Sequence, residues 1–211
     1  MSRITIIGAG GMATAIGGLA VKAGHTVEVM SRDATKAQAL AQQLGDGAMT
    51  GTFGETPAGD IVVLAVPYSS VLEVVRQYGR ALGGKLLVDI TNPISSNLKG
   101  FVTPVNSFGA WEIVKVAPAD SVVVKAFNAQ FCHVLARGPV PGYTLVVFVA
   151  GDDVNAKARV YAFIESLGLR SMDTGSLEMA RSLEHVALLT LGLVAHSIQH
   201  TNFSLGISLL D

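Results

Sequence analysis

The residues best suited to chemistry come early in the chain. Gly8-Ala9-Gly10-Gly11-Met12-Ala13 fits the pattern G-x-G-x-x-[G/A], directly after an apolar run and directly before a stretch of helical period. Each position has a physical reason. Gly8 permits a tight turn, Gly10 lets the backbone approach a pyrophosphate, and Ala13 keeps the helix close to the strand. The unpaired N–H groups that open the helix, and the positive end of its dipole, then face an anion. A glycine turn without a ligand is the competing reading, but the strand–turn–helix context is that of a dinucleotide site.

Which dinucleotide is decided about 20 residues further on, where an NAD site places Asp or Glu against the ribose 2′-hydroxyl. Here the residues are Met30-Ser31-Arg32. A carboxylate would repel a 2′-phosphate, whereas a hydroxyl and a guanidinium bond it. Lys36, one helical turn after Arg32, adds a second positive charge. Glu28 sits mid-strand, too early to reach the ribose, and Asp33 reads as a helix N-cap. This pattern favours NADP(H).

A second constellation lies where other apolar strands end: Ala65-Val66-Pro67-Tyr68, Thr91-Asn92-Pro93 and Lys125-Ala126-Phe127-Asn128. Ligands of an open α/β sheet sit beyond the carboxyl ends of its strands, where the strand order reverses. All three segments are therefore expected to line one crevice with the glycine loop. Asn92 and Asn128 are amides able to fix a nicotinamide or a second ring; the plainer reading makes each a turn residue bonding its own backbone. Pro67 and Pro93 are equally well explained as strand terminators.

His196 and His200 have a spacing that can chelate zinc, but a zinc site needs a third ligand. His185 lies about 16 Å up the same helix at 1.5 Å per residue, too far to share the ion, and no metal is expected. His25 is most simply the start of a strand. Cys132 has no nucleophile motif around it and reads as a packed thiol.

The elements that must position these groups follow from hydrophobic period. Strands are expected at 4–7, 25–30, 61–66, 85–90, 121–125, 145–149 and 169–173, with a weaker one at 48–52. Helices are expected between them, and a closing helix from 176 to about 200. Alternating β and α segments predict a Rossmann-type, doubly wound, mostly parallel sheet with helices on both faces. The whole of 1–211 reads as a single compact NADP(H)-binding domain with a C-terminal helical segment, 176–211.

Composition narrows the function classes. Half of the 211 residues are hydrophobic, and 15% are charged against about 25% in an average domain, which points to surface covered at a subunit interface. A net charge of −1 argues against a nucleic-acid binder. Cys132 is the only cysteine, so no intrachain disulfide forms and a cytoplasmic location is expected. No secretory-type leader is recognisable, and the apolar stretch 186–195 falls short of the roughly 20 residues of a membrane span. That stretch is apolar on nearly every face. A homodimer that covers it is the simplest closed solution; a helix interior to a monomer is the other.

The chain resembles the NADP-dependent reductases of the deazaflavin coenzyme F420. The resemblance covers nearly the whole chain. It rests on the glycine loop, Ser31-Arg32, the AVP segment at 65–67, DITNP at 89–93, VKAFN at 124–128 and VAGDD at 149–153. The Leu169-Arg170…Asp173…Gly175 and Ala180-Arg181…Leu183-Glu184 segments fit as well. The reductase domain of the six-transmembrane metalloreductases is similar too.

The resemblance implies a dimer in which the deazaflavin stacks on the nicotinamide of NADPH and hydride passes directly between the rings, with no acid or base required. By position, Gly8, Ala9, Gly10, Gly11, Met12 and Ala13 would hold the pyrophosphate, and Ser31, Arg32 and Lys36 the 2′-phosphate. Ala65, Val66, Pro67, Tyr68, Asn92, Pro93, Ala126 and Asn128 would contact the ribose and nicotinamide half. The stretch Ala129-Gln130-Phe131-Cys132-His133 departs from the small, hydroxyl-bearing segment usual in the family, and 94–106 is longer and less regular. The acceptor is therefore expected beside Asn128, Phe131 and His133.

The small-molecule redox acceptor could equally be a flavin, a quinone or a ferric chelate. Two other classes were weighed. Larger dehydrogenases of hydroxy acids attach a helical domain with a catalytic lysine or histidine; only about 35 residues follow the last strand here, and Lys125 ends a strand in the nucleotide half. A non-catalytic NADPH sensor would need no ring-sized second crevice.

Overall fold

The computed structural model describes residues 2–139 and 142–207. Six strands form one parallel sheet: β1 (Arg3–Ile7), β2 (Thr26–Met30), β3 (Ala48–Thr50), β4 (Ile61–Leu64), β5 (Leu86–Asp89) and β6 (Val122–Lys125). Their spatial order is β3-β2-β1-β4-β5-β6, so the order reverses between β1 and β4. This is the doubly wound Rossmann arrangement, which opens a crevice beyond the strand carboxyl ends at that point. Every residue of β4 and β5 is buried, as expected of strands covered on both faces.

Two helical layers provide that cover. On one face Ile4, Ile6, Val27, Val29 and Val88 pack with α1 (Gly11–Lys22), α2 (Ala34–Leu44) and α6 (Val154–Ser166). On the other, Ile7, Val62, Leu64 and Leu87 pack with α3 (Tyr68–Tyr78), α4 (Gly109–Val114) and α7 (Ala180–Leu193). The Asp33 cap read from the sequence is present, and Asp153 caps α6 in the same way. Asp33 accepts from the Lys36 N–H at 3.1 Å and Asp153 from the Ala156 N–H at 2.7 Å.

The last two strands do not continue the parallel series. β7 (Val146–Val149) and β8 (Arg170–Asp173) pair parallel with each other, and join the main sheet through one antiparallel bridge between Lys125 and Ala150. The crossover α6 makes β7 and β8 parallel, whereas the chain enters β7 from the opposite end through α5 (Cys132–Leu135).

The closing helix differs from the expectation of one rod from 176 to 200. A short 3-10 turn, Leu177–Met179, precedes α7, and a wider π turn, Val194–Ile198, follows it. Gln199, left-handed at φ 60°, ends the turn, and the described chain beyond runs without helix to 207. Of the expected helical segment 176–211, the last four residues lie outside the described ones. Nor is α7 interior: Leu189 is 57% exposed, and Val186, Leu188, Leu191 and Leu193 are only partly covered. Among the described residues no helix is long and apolar enough to cross a membrane.

Candidate functional site

The glycine loop turns at the β1 carboxyl end. Gly8 has φ +129°, and a Cβ there would fall 2.1 Å from the Ala65 carbonyl oxygen, so only glycine fits between β1 and β4. Around Gly10 the space in front of the backbone is open, with nothing within 4 Å of a Cβ position. Gly10 caps α1 without a side-chain hydrogen bond, and the first turn holds no acidic residue. The opening N–H groups of α1 therefore face the cleft unclaimed by any side chain, as an anion would require. Gly11 is glycine for another reason: a Cβ there would meet the Cys132 sulfur at 2.9 Å.

A cleft runs from this loop in two directions. Towards the β2 end it is lined by Gly8, Ala9, Gly10, Ser31, Arg32 and Lys36, with Phe53 and the Ala65–Pro67 segment opposite. Ser31 Oγ accepts the Asp33 N–H at 3.2 Å, which leaves its own proton free to donate. Arg32 is exposed and forms no ion pair among the described residues; Lys36 lies 3.6 Å from Asp33. Glu28 is turned away and buried, taking hydrogen bonds from Thr5 Oγ1 at 2.7 Å and the Ala58 N–H at 2.8 Å. This end of the cleft thus presents the Ser31 hydroxyl and two cations, Arg32 and Lys36, the latter beside Asp33, with Glu28 turned away from it.

In the other direction the cleft widens to about 710 Å³ between Gly10, Gly11, Met12, the Ala65–Ser69 segment, Ile90, Thr91 and Asn92. Ile94, Ser96 and Val102 of the irregular 94–106 loop form its rim. Burial pushes the Tyr68 hydroxyl up to about 12, helped by Glu112, Glu184 and Asp89, so it stays a neutral donor at ordinary pH. Of the expected cofactor residues, thirteen line the two arms together: Gly8, Ala9, Gly10, Gly11, Met12, Ser31, Arg32, Lys36, Ala65, Val66, Pro67, Tyr68 and Asn92.

The others sit elsewhere. Ala13 and Ala126 are fully buried and Pro93 is buried; they shape the wall from behind and do not reach the cleft. Asn92 and Asn128 bond one another. The Asn92 amide donates to the Asn128 carbonyl at 2.7 Å, and the Asn128 amide to Asn92 Oδ1 at 2.8 Å and to the Leu183 carbonyl at 2.9 Å. This lock between two strand-end loops is neither a free pair of amides nor two isolated turns. Phe127, held left-handed at φ 60° and buried, makes the sharp turn that brings Asn128 to it.

A smaller pocket of about 130 Å³ adjoins the wide arm, sharing Asn92 and Ile94 with it. Asn128, Ala129, Gln130 and Phe131 line one side, and Ala187, Thr190 and Leu191 of α7 the other. The carbonyl oxygens of the Asn128 and Gln130 side chains are buried there without a partner. Phe131 therefore borders the region where an acceptor is expected. His133 does not. It is exposed, with Nε2 2.9 Å from the Thr201 carbonyl and its ring stacked on Phe131 at 5.8 Å.

Sequence reasoning missed Phe53 and a buried ionic cluster. Phe53 follows the weakest strand and packs edge-on against Tyr78 at 5.1 Å; a lone aromatic in a loop carries no motif. Lys125 is fully buried between Asp89, at 2.8 Å, and Glu184, at 3.0 Å. Its signal was a charged residue at each end of two apolar strands and in an apolar helix. His196 and His200 do not lie on one helix as the spacing suggests: His200 lies past it and accepts the Asn202 N–H. Among the described residues no three His, Cys, Asp or Glu side chains gather as metal ligands.

Strand order and cleft are those of a Rossmann-type dinucleotide-binding domain. Over part of its length the chain is similar to NADP-dependent F420 oxidoreductases. Residues 3–93 match the family described as NADP oxidoreductase coenzyme F420-dependent. The chain is 31% identical over 140 residues to the F420-dependent NADP reductase of Methanocaldococcus jannaschii, covering 64% of this chain and 62% of that protein. It is 29% identical to the metalloreductase STEAP3 of Rattus norvegicus over 88% of this chain and 36% of that one. It thus spans less than two thirds of either relative. A crystal structure from Arthrobacter sp. FB24, assigned as an F420-dependent NADP reductase, superposes with a TM-score of 0.85 at 25% identity, over 99% of this chain and 100% of that one.

Proposed function

We propose that this chain is an NADP(H)-dependent oxidoreductase that passes hydride directly between the nicotinamide and a flat organic acceptor, the deazaflavin coenzyme F420. The observation that carries the reading is the two-armed cleft. One arm ends in Ser31, Arg32 and Lys36, and the other opens into a wide crevice beside the Phe131 pocket. The open cradle at Gly10 and the uncapped start of α1 fit a pyrophosphate, so the residues present suit the dinucleotide.

When bound, the nicotinamide would supply the chemistry, a hydride carrying both electrons to the acceptor while a proton from solvent completes the reduction. The chain's own residues bind and orient. Arg32 and Lys36 hold the 2′-phosphate, the α1 start neutralises the pyrophosphate, and Ala65, Val66 and Pro67 form an apolar wall that keeps water from the reacting faces. The acceptor takes the rim side, between Ile94, Val102 and Phe131. A second copy covers the apolar face of α7, giving a cytoplasmic homodimer without nucleic-acid or membrane partners. The metalloreductase relative favours one further reading, with a flavin or ferric chelate as acceptor.

Stopped-flow loss of NADPH absorbance tests this, with the deazaflavin, riboflavin, a quinone and ferric citrate as parallel acceptors. Oxidation by the deazaflavin alone is expected. Oxidation only by another acceptor moves the function to that class, and tight NADPH binding with no oxidation makes the protein a sensor.

A further inference from the structure

Behind the wide arm of the cleft lies the one ionic cluster among the described residues in which every member is buried. Lys125, at the end of β6, directs its ammonium to three acceptors: Asp89 Oδ2 at 2.8 Å, Glu184 Oε1 at 3.0 Å and the Thr91 carbonyl. The remaining contacts of both carboxylates are also with donors. Asp89 Oδ1 receives the Thr91 N–H and the Thr91 hydroxyl, each at 2.8 Å. Glu184 receives the Gly109 N–H at 3.0 Å and the Ala110 N–H at 3.3 Å. The cluster thus sets two carboxylates against a single ammonium.

That surplus is costly. Burying charge that is not balanced is among the most expensive things a fold does, and here two carboxylates, Asp89 on β5 and Glu184 on α7, share a single lysine on β6. Neighbouring charges do not cancel it: Glu112 pairs with Lys115, and Arg181 with Glu178. The surplus also lies close to the crevice. A Cβ placed on Gly109 would touch Glu184 Oε1 at 2.9 Å, the Tyr68 ring at 3.1 Å and Pro93 at 3.2 Å, so carboxylate and crevice wall are separated by the width of a methyl group. Thr91, which the cluster grips by its carbonyl, N–H and hydroxyl, is itself part of the wall. The same charge is felt by the Tyr68 hydroxyl, whose ionisation it opposes.

We propose that the Asp89–Lys125–Glu184 cluster is a fixed counter-charge, set behind the crevice wall, that favours the cationic oxidised nicotinamide over the neutral reduced ring. It rests on the reading that the cleft holds NADP(H), and not on the identity of the acceptor. When hydride leaves, the nicotinamide gains one positive charge, and a dipole or charge already in place stabilises that change without reorganising. Asp89, Lys125 and Glu184 touch no reacting atom; they act through the field and by positioning Thr91.

The test is the ratio of dissociation constants for NADP+ and NADPH, measured by fluorescence or calorimetric titration without any acceptor. Wild-type protein binds NADP+ at least as tightly as NADPH. Glu184→Gln and Asp89→Asn each remove one negative charge at constant shape and raise the NADP+/NADPH ratio on the order of tenfold. That is the scale of one unit charge a few side chains away at an effective dielectric of about 20, or about 30 mV for a two-electron couple. Charge-conserving Glu184→Asp and the distant surface variant Asp46→Asn keep the wild-type ratio. An unmoved ratio in a folded Glu184→Gln or Asp89→Asn protein overturns the proposal, as does an equal shift in Glu184→Asp. If neither neutral variant folds, a wild-type preference for NADPH of tenfold or more overturns it alone. Wild-type protein that binds neither nucleotide refutes the proposed function itself, whereas a shifted ratio without turnover refutes only its acceptor.

Discussion

At the scale of single residues, the nucleotide end of the cleft is read from side-chain type, and the acceptor end is not. Ser31 and Arg32 are the side chains expected to meet a phosphate, and the structure leaves both without a competing side-chain partner among the described residues. Arg32→Ala should remove charge-assisted bonds worth about 1.5–3 kcal/mol, weakening NADPH binding about 10- to 100-fold while leaving NADH almost unchanged; titration with both nucleotides checks this. Asn92 and Asn128 were equally conspicuous, yet their reciprocal hydrogen bonds depend on a fold contact that spacing cannot reveal. His25 shows the same limit. Its ring lies between the Ser2 N–H and Ser166 Oγ, and burial holds it below the ordinary histidine range. A histidine lowered on folding takes up protons more readily when unfolded, so stability should fall as pH drops below about 6.5, the unfolded value. His25→Gln should flatten that part of the profile of urea midpoint against pH.

At the scale of elements, strands and the helix capped by Asp33 were legible because short apolar runs and a capping side chain each carry a local signal. The breakdown of the closing helix after Leu193 was not, since Val194–Ile198 holds no glycine or proline to mark a break. The packing of α5 on α1 was equally hidden. It depends on Gly11 giving room to Cys132, a contact between residues far apart in sequence. Gly11→Ala should overpack that contact and cost about 1–3 kcal/mol. Cys132→Ala in the same chain should return part of the loss, so that the two substitutions are non-additive by at least about 0.5 kcal/mol in a double-mutant cycle followed by urea unfolding. Strict additivity would mean that α1 and α5 do not press on each other there.

At the scale of the whole molecule, the strand order β3-β2-β1-β4-β5-β6 gathers loops from four strands at one edge, and this is why residues as distant as Gly8, Arg32, Pro67 and Asn92 meet in one cleft. The antiparallel attachment of β7 and β8 and the buried charge cluster lie outside what local pattern can give, because both follow from how the chain returns after β6. The partly covered face of α7 fits the low share of charged residues. Leu189→Glu should therefore convert a dimer to a monomer in sedimentation velocity without altering the far-ultraviolet spectrum; an unchanged monomer in both proteins would refute the assembly. The central claim, direct hydride passage between two stacked rings, is tested most directly by isotope transfer. NADPH deuterated at the transferable C4 position is mixed with protein and the oxidised deazaflavin in ordinary water, and the reduced acceptor is analysed by mass spectrometry. Deuterium should appear carbon-bound in the acceptor, one per NADPH consumed. Reduced acceptor without deuterium, or NADPH left unconsumed, would contradict the account.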